Sequence, residues 1–169
     1  MPVLNRCACV LAAATLAAAP LAIAAPNPGQ IFIRRAIEGN LAEIEAGKLA
    51  ERDGASAGVR RLGRILERDH ARADQQAMSV ASAMGVAAPS MPSPRQQRAA
   101  RRLASLSGRR FDQAFVKMQI KAHRQAIERY REAERGPTGP AESYAKATLP
   151  VLERHLRLAR SLAHGAPRR

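Results

Sequence analysis

Residues 57–84 read AGVRRLGRILERDHARADQQAMSVASAM, and the placing of their apolar positions decides the fold. Val59, Leu62, Leu66, His70, Ala73, Ala77, Val80 and Met84 follow one another at steps of three and four without a gap. At about 3.6 residues per turn such steps keep every one of them on the same side of a helix, whereas a strand would scatter them over both faces. Ser56 stands in front as an N-cap, and Gly85 follows as the residue type best suited to close a helix. The stripe has one polar member, His70, with Asp69 at its edge.

Three more segments carry the same signature. From Pro28 or Gly29 to about Arg52, the positions Phe32, Ile33, Ala36, Ile37, Asn40, Glu43, Ile44, Gly47 and Ala50 share one broad face, and Asp53-Gly54 breaks the segment. From a Ser107 cap to about Arg135, Phe111, Phe115, Met118, Ala122, Ala126, Tyr130 and Ala133 form a stripe with His123 on its flank. From about Glu142 to His164, Ala145, Leu149, Leu152, Leu156, Ala159 and Ala163 face inward with His155 on the shoulder. Pro150 falls inside this last segment and removes one backbone hydrogen bond, which predicts a kink. Val86–Pro94 holds three prolines and cannot be regular helix, while Arg95–Leu106 reads as a short basic helix with Leu103 and Leu106 as its apolar points. No segment alternates as a strand must, so the domain is all-α.

Connection lengths choose the topology. Short turns, Asp53–Ser56 and Gly136–Pro140, make antiparallel hairpins of segments one and two and of segments three and four. The middle connection is roughly 22 residues long and contains the short helix, which suffices to run back along a bundle at about 1.5 Å per helical residue. Two hairpins joined by a long crossover is the arrangement of ferritin-like four-helix bundles.

The first 24 residues are expected to be a signal peptide: Arg6, then an apolar run from Cys7 to Ala25, with Ala22-Ile23-Ala24 offering the small residues that precede cleavage. Residues 25–165 then form the domain and 166–169 a basic tail. Both cysteines, Cys7 and Cys9, depart with the signal, so the mature chain has neither disulfides nor thiolate chemistry. The expected location is the periplasm, with no outer-membrane barrel, since barrel strands need alternating segments of about ten residues.

The formal net charge is +14, one unit less without Arg6, and all but Lys48, Lys117, Lys121 and Lys146 of the 28 basic residues are arginine. Three Phe and two Tyr leave little for base stacking, and no nucleic-acid motif is present, so nucleic acid is not the expected partner. Arg95, Arg98, Arg101, Arg102, Arg109 and Arg110 cluster around the crossover, where an anionic lipid or lipopolysaccharide surface is the partner of matching charge.

One polar constellation stands out. Glu43, His70, His123 and His155 each lie within roughly three residues of the midpoint of a different long segment, or about 5 Å along the axis. Midpoints of equal antiparallel helices coincide, so the four side chains are expected in one layer. Three imidazoles and a carboxylate suit Zn, Cu or Fe, with Asp69 and Glu153 as carboxylates orienting the rings. The competing expectation is a structural polar layer in which each ring bonds a carboxylate or water. A di-iron site would need a second Glu-x-x-His beside Glu67-Arg68-Asp69-His70, and Ile120 and Leu152 occupy the positions where its glutamate would stand.

Gly39-Asn40-Leu41-Ala42-Glu43-Ile44-Glu45, Gly47-Lys48-Leu49-Ala50, Asp69-His70, Phe111-Asp112 with His123 further on, and Thr148-Leu149-Pro150-Val151-Leu152-Glu153-Arg154-His155-Leu156 together resemble the exported bacterial family known as domain of unknown function 4142. The resemblance implies export and a ferritin-like fold, and no established activity. An acidic residue is usual before the second histidine of that family, where this chain has Ala122. The function expected on these grounds is a binding or envelope-maintenance protein with a metal site between its helices, rather than an enzyme. A ferritin-like oxidoreductase or metal-storage protein is the alternative, and an adaptor binding anionic envelope surfaces is a third.

Overall fold

Asn27 opens the first helix. Its side chain accepts from the backbone N–H of Gln30 while the Gln30 side chain accepts from the Asn27 N–H, and Pro28 sits at the first helical position where no donor is needed. In the computed structural model, which describes residues 25–165, α1 spans Pro28–Asp53, α2 Ala57–Ala83, α3 Pro94–Ala104, α4 Gly108–Glu134 and α5 Pro140–Gly165. No strand occurs among the described residues, which are all-α as expected. The expected signal peptide and basic tail lie outside the described residues.

The caps follow the sequence with one exception. Ser56 accepts from the Val59 N–H, Ser93 and Gln96 form a reciprocal box at α3, and Gly85 adopts φ 65° just past α2. Ser107 precedes α4 as expected, but its hydroxyl makes no capping bond. The neighbouring carboxylate, Asp112, turns instead to the α1–α2 turn and accepts from the N–H groups of Ala55 and Ser56, both at 2.8 Å. α5 runs through Pro150 without interruption. The proline ring is exposed, and the bond it cannot donate is lost on the solvent side.

The end contacts define the course of the chain. The start of α1, the end of α2 and the start of α5 meet where an added Cβ on Gly29 would touch Met84 and Ala141. At the opposite end, the start of α2 meets the end of α5 through Gly58 and Leu162, and the α1–α2 turn meets Asp112 of α4. α1 with α2 and α4 with α5 are therefore antiparallel hairpins, and the segment from Met84 to Ser107 travels the length of the molecule, carrying α3 across α1 and α4. Within the first hairpin the backbones approach closely: a Cβ on Gly47 would lie 2.7 Å from the carbonyl oxygen of Gly63, and one on Gly63 equally close to that of Gly47.

The apolar core is split in two. One half gathers Ile33, Ile37, Ala77, Ile127, Tyr130, Tyr144 and Leu152, and the other Ala50, Val59, Leu62, Leu66, Phe111, Phe115 and Ala159. Between them lies a polar layer of Asn40, His70, Gln119, His123 and His155. The inward face of α4 is turned relative to expectation. It runs through Phe111, Phe115, Val116, Gln119, His123, Ile127 and Tyr130, while Met118, Ala122 and Ala126 are only partly buried. A reading guided by apolarity steps around Gln119 and His123, whereas these two polar residues sit at the centre of the buried face.

Candidate metal centre

Each histidine comes from a different helix, and burial holds all three: His70 on α2 is 4% exposed, His123 on α4 is 2% and His155 on α5 is 1%. Ring centroids are 5.7 Å apart for His70–His123 and 5.3 Å for each of the other two pairs. One ring nitrogen from each lies within 4.8 Å of those of the other two. The layer expected from helix midpoints is thus present for the histidines.

Hydrogen bonding assigns the tautomers. Asn40 donates its amide to the Tyr144 hydroxyl at 3.1 Å, so its carbonyl faces His70, and His70 donates Nδ1–H to it at 3.0 Å. His123 donates Nδ1–H to the backbone carbonyl of Gln119, one turn earlier, at 3.1 Å. His155 donates Nε2–H to Asp69 at 3.0 Å. A neutral imidazole has one donor and one acceptor, so every remaining nitrogen carries a lone pair. His70 Nε2 is buried with no partner, and His123 Nε2 and His155 Nδ1 face each other at 3.3 Å. Two lone pairs at that distance repel unless a cation or a proton stands between them.

Electrostatics favours the neutral form of His70 and of His155. Burial pushes His70 well below the usual imidazole range, and the neighbouring rings of His123 and His155 push the same way. His155 is driven down to about 4 by burial, against the opposing pull of its bond to Asp69. Burial works to raise Asp69, but hydrogen bonds from Arg68 and His155 outweigh it, and the carboxyl titrates below its ordinary value. Arg154 also donates to Asp69, so this carboxylate stays ionised and fixes the His155 ring.

A profile of the family described as Domain of unknown function (DUF4142) matches residues 12–162. The chain belongs to the DUF4142 family. No curated protein matches its sequence. Among solved structures it is similar to a DUF305 protein from Streptomyces coelicolor, described there as secreted, with a TM-score of 0.65 and 14% identity over 79% of this chain and 91% of that one. At that identity the likeness is one of fold. Among the described residues no helix is long and apolar enough to cross a membrane.

The DUF4142 stretches named above supply most of the layer: Asn40 and Glu43 on α1, Asp69-His70 on α2, His123 on α4 and Thr148–Leu156 on α5. Glu43 is not part of the close three-ring group. It lines a cavity of about 380 Å³ that His70 and His123 also line, and its buried Oε2 has no partner. Glu153 is not where it was expected. It accepts from Arg131 at 2.8 Å and touches none of the rings. Residues two apart on a helix point to different faces, so a carboxylate two before His155 cannot orient that ring. Arg95, Arg98, Arg101, Arg102, Arg109 and Arg110 are all exposed.

Sequence reasoning placed Asn40 on the inward face of α1 and Tyr130 on that of α4 without a role, and it missed Gln119 and Tyr144. The signal for Gln119 was its spacing of four before His123. Tyr144 sits four before Thr148 on the inward face of α5, and its hydroxyl lies 3.4 Å from that of Tyr130. Together they extend the polar layer beyond the histidines.

Proposed function

We propose that this exported DUF4142 protein binds a transition metal, Zn, Cu or Fe, between the helices of a ferritin-like four-helix bundle. The observation that carries this reading is the set of three inward lone pairs, on His70 Nε2, His123 Nε2 and His155 Nδ1, each left over after the other nitrogen of its ring has been committed as a donor. Metal-ligating histidines are held in this way, with the second nitrogen donating to a carbonyl or carboxylate. Tetrahedral zinc at about 2.0–2.1 Å from each nitrogen separates its ligands by about 3.3 Å. The His123–His155 pair stands at that separation, and one ring nitrogen of His70 lies within 4.8 Å of the other two rings' nitrogens. Glu43 is the carboxylate best placed to join them.

The alternative is a structural layer with a proton between His123 and His155. It would place an imidazolium where burial already drives His70 and His155 toward the neutral form. It would also leave His70 Nε2 unsatisfied, at a cost of about 1–3 kcal/mol. A metal relieves both faults at once.

The test is thermal unfolding of chelator-stripped protein with and without added Zn, Cu or Fe. At about 100 times its dissociation constant, a metal that binds only the folded state adds ~2.7 kcal/mol, very roughly an 8 °C rise for a domain of this size. His70→Ala and His155→Ala should abolish the rise, and His164→Ala, at an exposed position on the last turn, should leave it intact. A stripped wild type that no first-row metal stabilises returns the layer to a structural role.

We also propose a weaker contact with anionic lipid or lipopolysaccharide. Arg95, Arg98, Arg101 and Arg102 project from α3 and form no ion pairs with described carboxylates. Sedimentation with anionic vesicles should show binding that weakens with salt, because screening acts over about 10 Å at 0.1 M. Equal binding to neutral vesicles removes electrostatics as its cause.

A further inference from the structure

The cavity that His70 and His123 line is chemically unbalanced. Arg35 of α1, Arg95 of α3 and Arg129 of α4 all line it. None of the three pairs with a carboxylate among the described residues. Two carboxylates share the wall, and neither answers them: Glu38 turns to Arg34 at 3.9 Å, and Glu43 keeps its buried Oε2 without a partner. Arg129 is drawn below the usual guanidinium range by burial and, in part, by the charge of Arg35. Like charges gathered on one wall repel, and an anion seated among them would remove that repulsion.

The same cavity is also lined by His70, a buried side chain whose Nε2 is unpartnered, and by the buried His123. At about 380 Å³ the space falls in the range of small-molecule sites. Guanidinium groups present paired N–H donors that match the oxygens of carboxylates and phosphates. A metal held by three imidazoles also keeps a coordination position that an outside ligand can take in place of Glu43.

Building on the metal reading, we propose that this cavity binds a small oxyanion, a carboxylate or inorganic phosphate, which lies against Arg35, Arg95 and Arg129 and takes the open position of the histidine-bound metal. Cation and anion then support each other. By linkage each should tighten the other's binding by the same factor.

The test uses the full mature protein, stripped and then loaded with Co(II), whose visible absorption reports on its ligands. Cobalt uptake is measured first, before any anion is added. Succinate and phosphate are then titrated into loaded and stripped protein at constant ionic strength, with chloride as the control. The expected result is saturable binding of one of the two, with a changed cobalt spectrum, about tenfold tighter in loaded than in stripped protein. Arg129→Gln and Arg35→Gln should each weaken it by about tenfold or more while leaving cobalt uptake unchanged. Preference for succinate or phosphate identifies the source of the oxygens.

The proposal is overturned if cobalt binds but neither anion alters its spectrum beyond the chloride control. It is equally overturned if both arginine variants bind like wild type, or if loaded and stripped protein bind the anion equally. Protein that takes up no cobalt fails at the earlier step, and then the metal reading and this proposal fall together.

Discussion

His155 gives its Nε2 hydrogen to Oδ2 of Asp69 across 3.0 Å, and this bond decides which nitrogen the ring turns toward its neighbours. Asp69 precedes His70 on α2, so one carboxylate ties the α5 ring to the helix that carries the second ring. Arg68 at 2.9 Å and Arg154 hold the carboxylate in place from outside the core. The orientation of the layer thus depends on a residue at its edge.

Replacing Asp69 by Ala should therefore act on the metal without removing a ligand. Metal affinity, measured by competition with a chelator, should fall by about 10–100-fold. The buried Nε2–H of His155 would lose its acceptor, and denaturant unfolding of the stripped variant should show a loss of about 1–3 kcal/mol. Asp69→Asn keeps an acceptor and should recover most of the stability. An unchanged affinity in both variants would mean that Asp69 does not orient the ring.

The depressed histidines make the stripped protein acid-sensitive. His155 has an ordinary value of 6.5 unfolded and titrates near 4 when folded, and His70 is depressed in the same direction. Between those limits the unfolded chain binds protons that the folded chain refuses. Stability is then complete above about pH 6.5 and declines as the pH falls toward 4, by up to about 1.4 kcal/mol per pH unit for each such proton. Melting points of stripped protein from pH 7.5 to 4 should trace this decline. His155→Gln should flatten part of it, and a flat wild-type profile would mean the rings are not held neutral.

Asp74 behaves in the opposite sense. Burial raises its carboxyl above the ordinary value, and its Oδ1 has no partner. A raised folded value means stability is greatest with the group protonated and is lost as the pH rises through that value. Asp74→Asn removes the charge at nearly the same size, so it should stabilise the protein at pH 7 by about 1 kcal/mol. The gain should vanish below the ordinary value of 3.8, where both states are protonated. Denaturant titrations at pH 7 and near pH 3.5 provide the comparison.

Gly63 and Gly47 set the spacing of the first hairpin. Gly63→Ala would bring its new methyl to 2.7 Å from the Gly47 carbonyl oxygen, and that atom is backbone and cannot rotate away. The helices must separate, which should cost about 1–3 kcal/mol. Because both helices supply residues to the polar layer, weaker metal binding should accompany the loss. Gly39→Ala, with open space around its added carbon, should be neutral to stabilising and serves as the control.

Much of this molecule could be read along the chain. Helix extents followed from caps and from steps of three and four, because those are local properties of the backbone. Ser56 and Gly85 act where their chemistry predicts. The shared layer of His70, His123 and His155 followed from midpoints, since antiparallel helices of similar length must align. The α4 face did not follow, because hydrophobicity alone cannot show that Gln119 and His123 are the residues turned inward.

The sequence by itself determined four long amphipathic helices, a crossover too long for a turn, and one histidine near the middle of each of three helices. Tertiary structure alone decided the rest. It set Glu153 on Arg131 instead of beside His155, gave Asn40 to His70 through a bond braced by Tyr144, and placed Arg35 and Arg129 on one cavity wall. The physical reason is that periodicity fixes which face of a helix is apolar, whereas a hydrogen bond between helices depends on their relative rotation. That rotation is set by packing, here by the close approach at Gly47 and Gly63 and by the two apolar halves that clamp the polar layer between them.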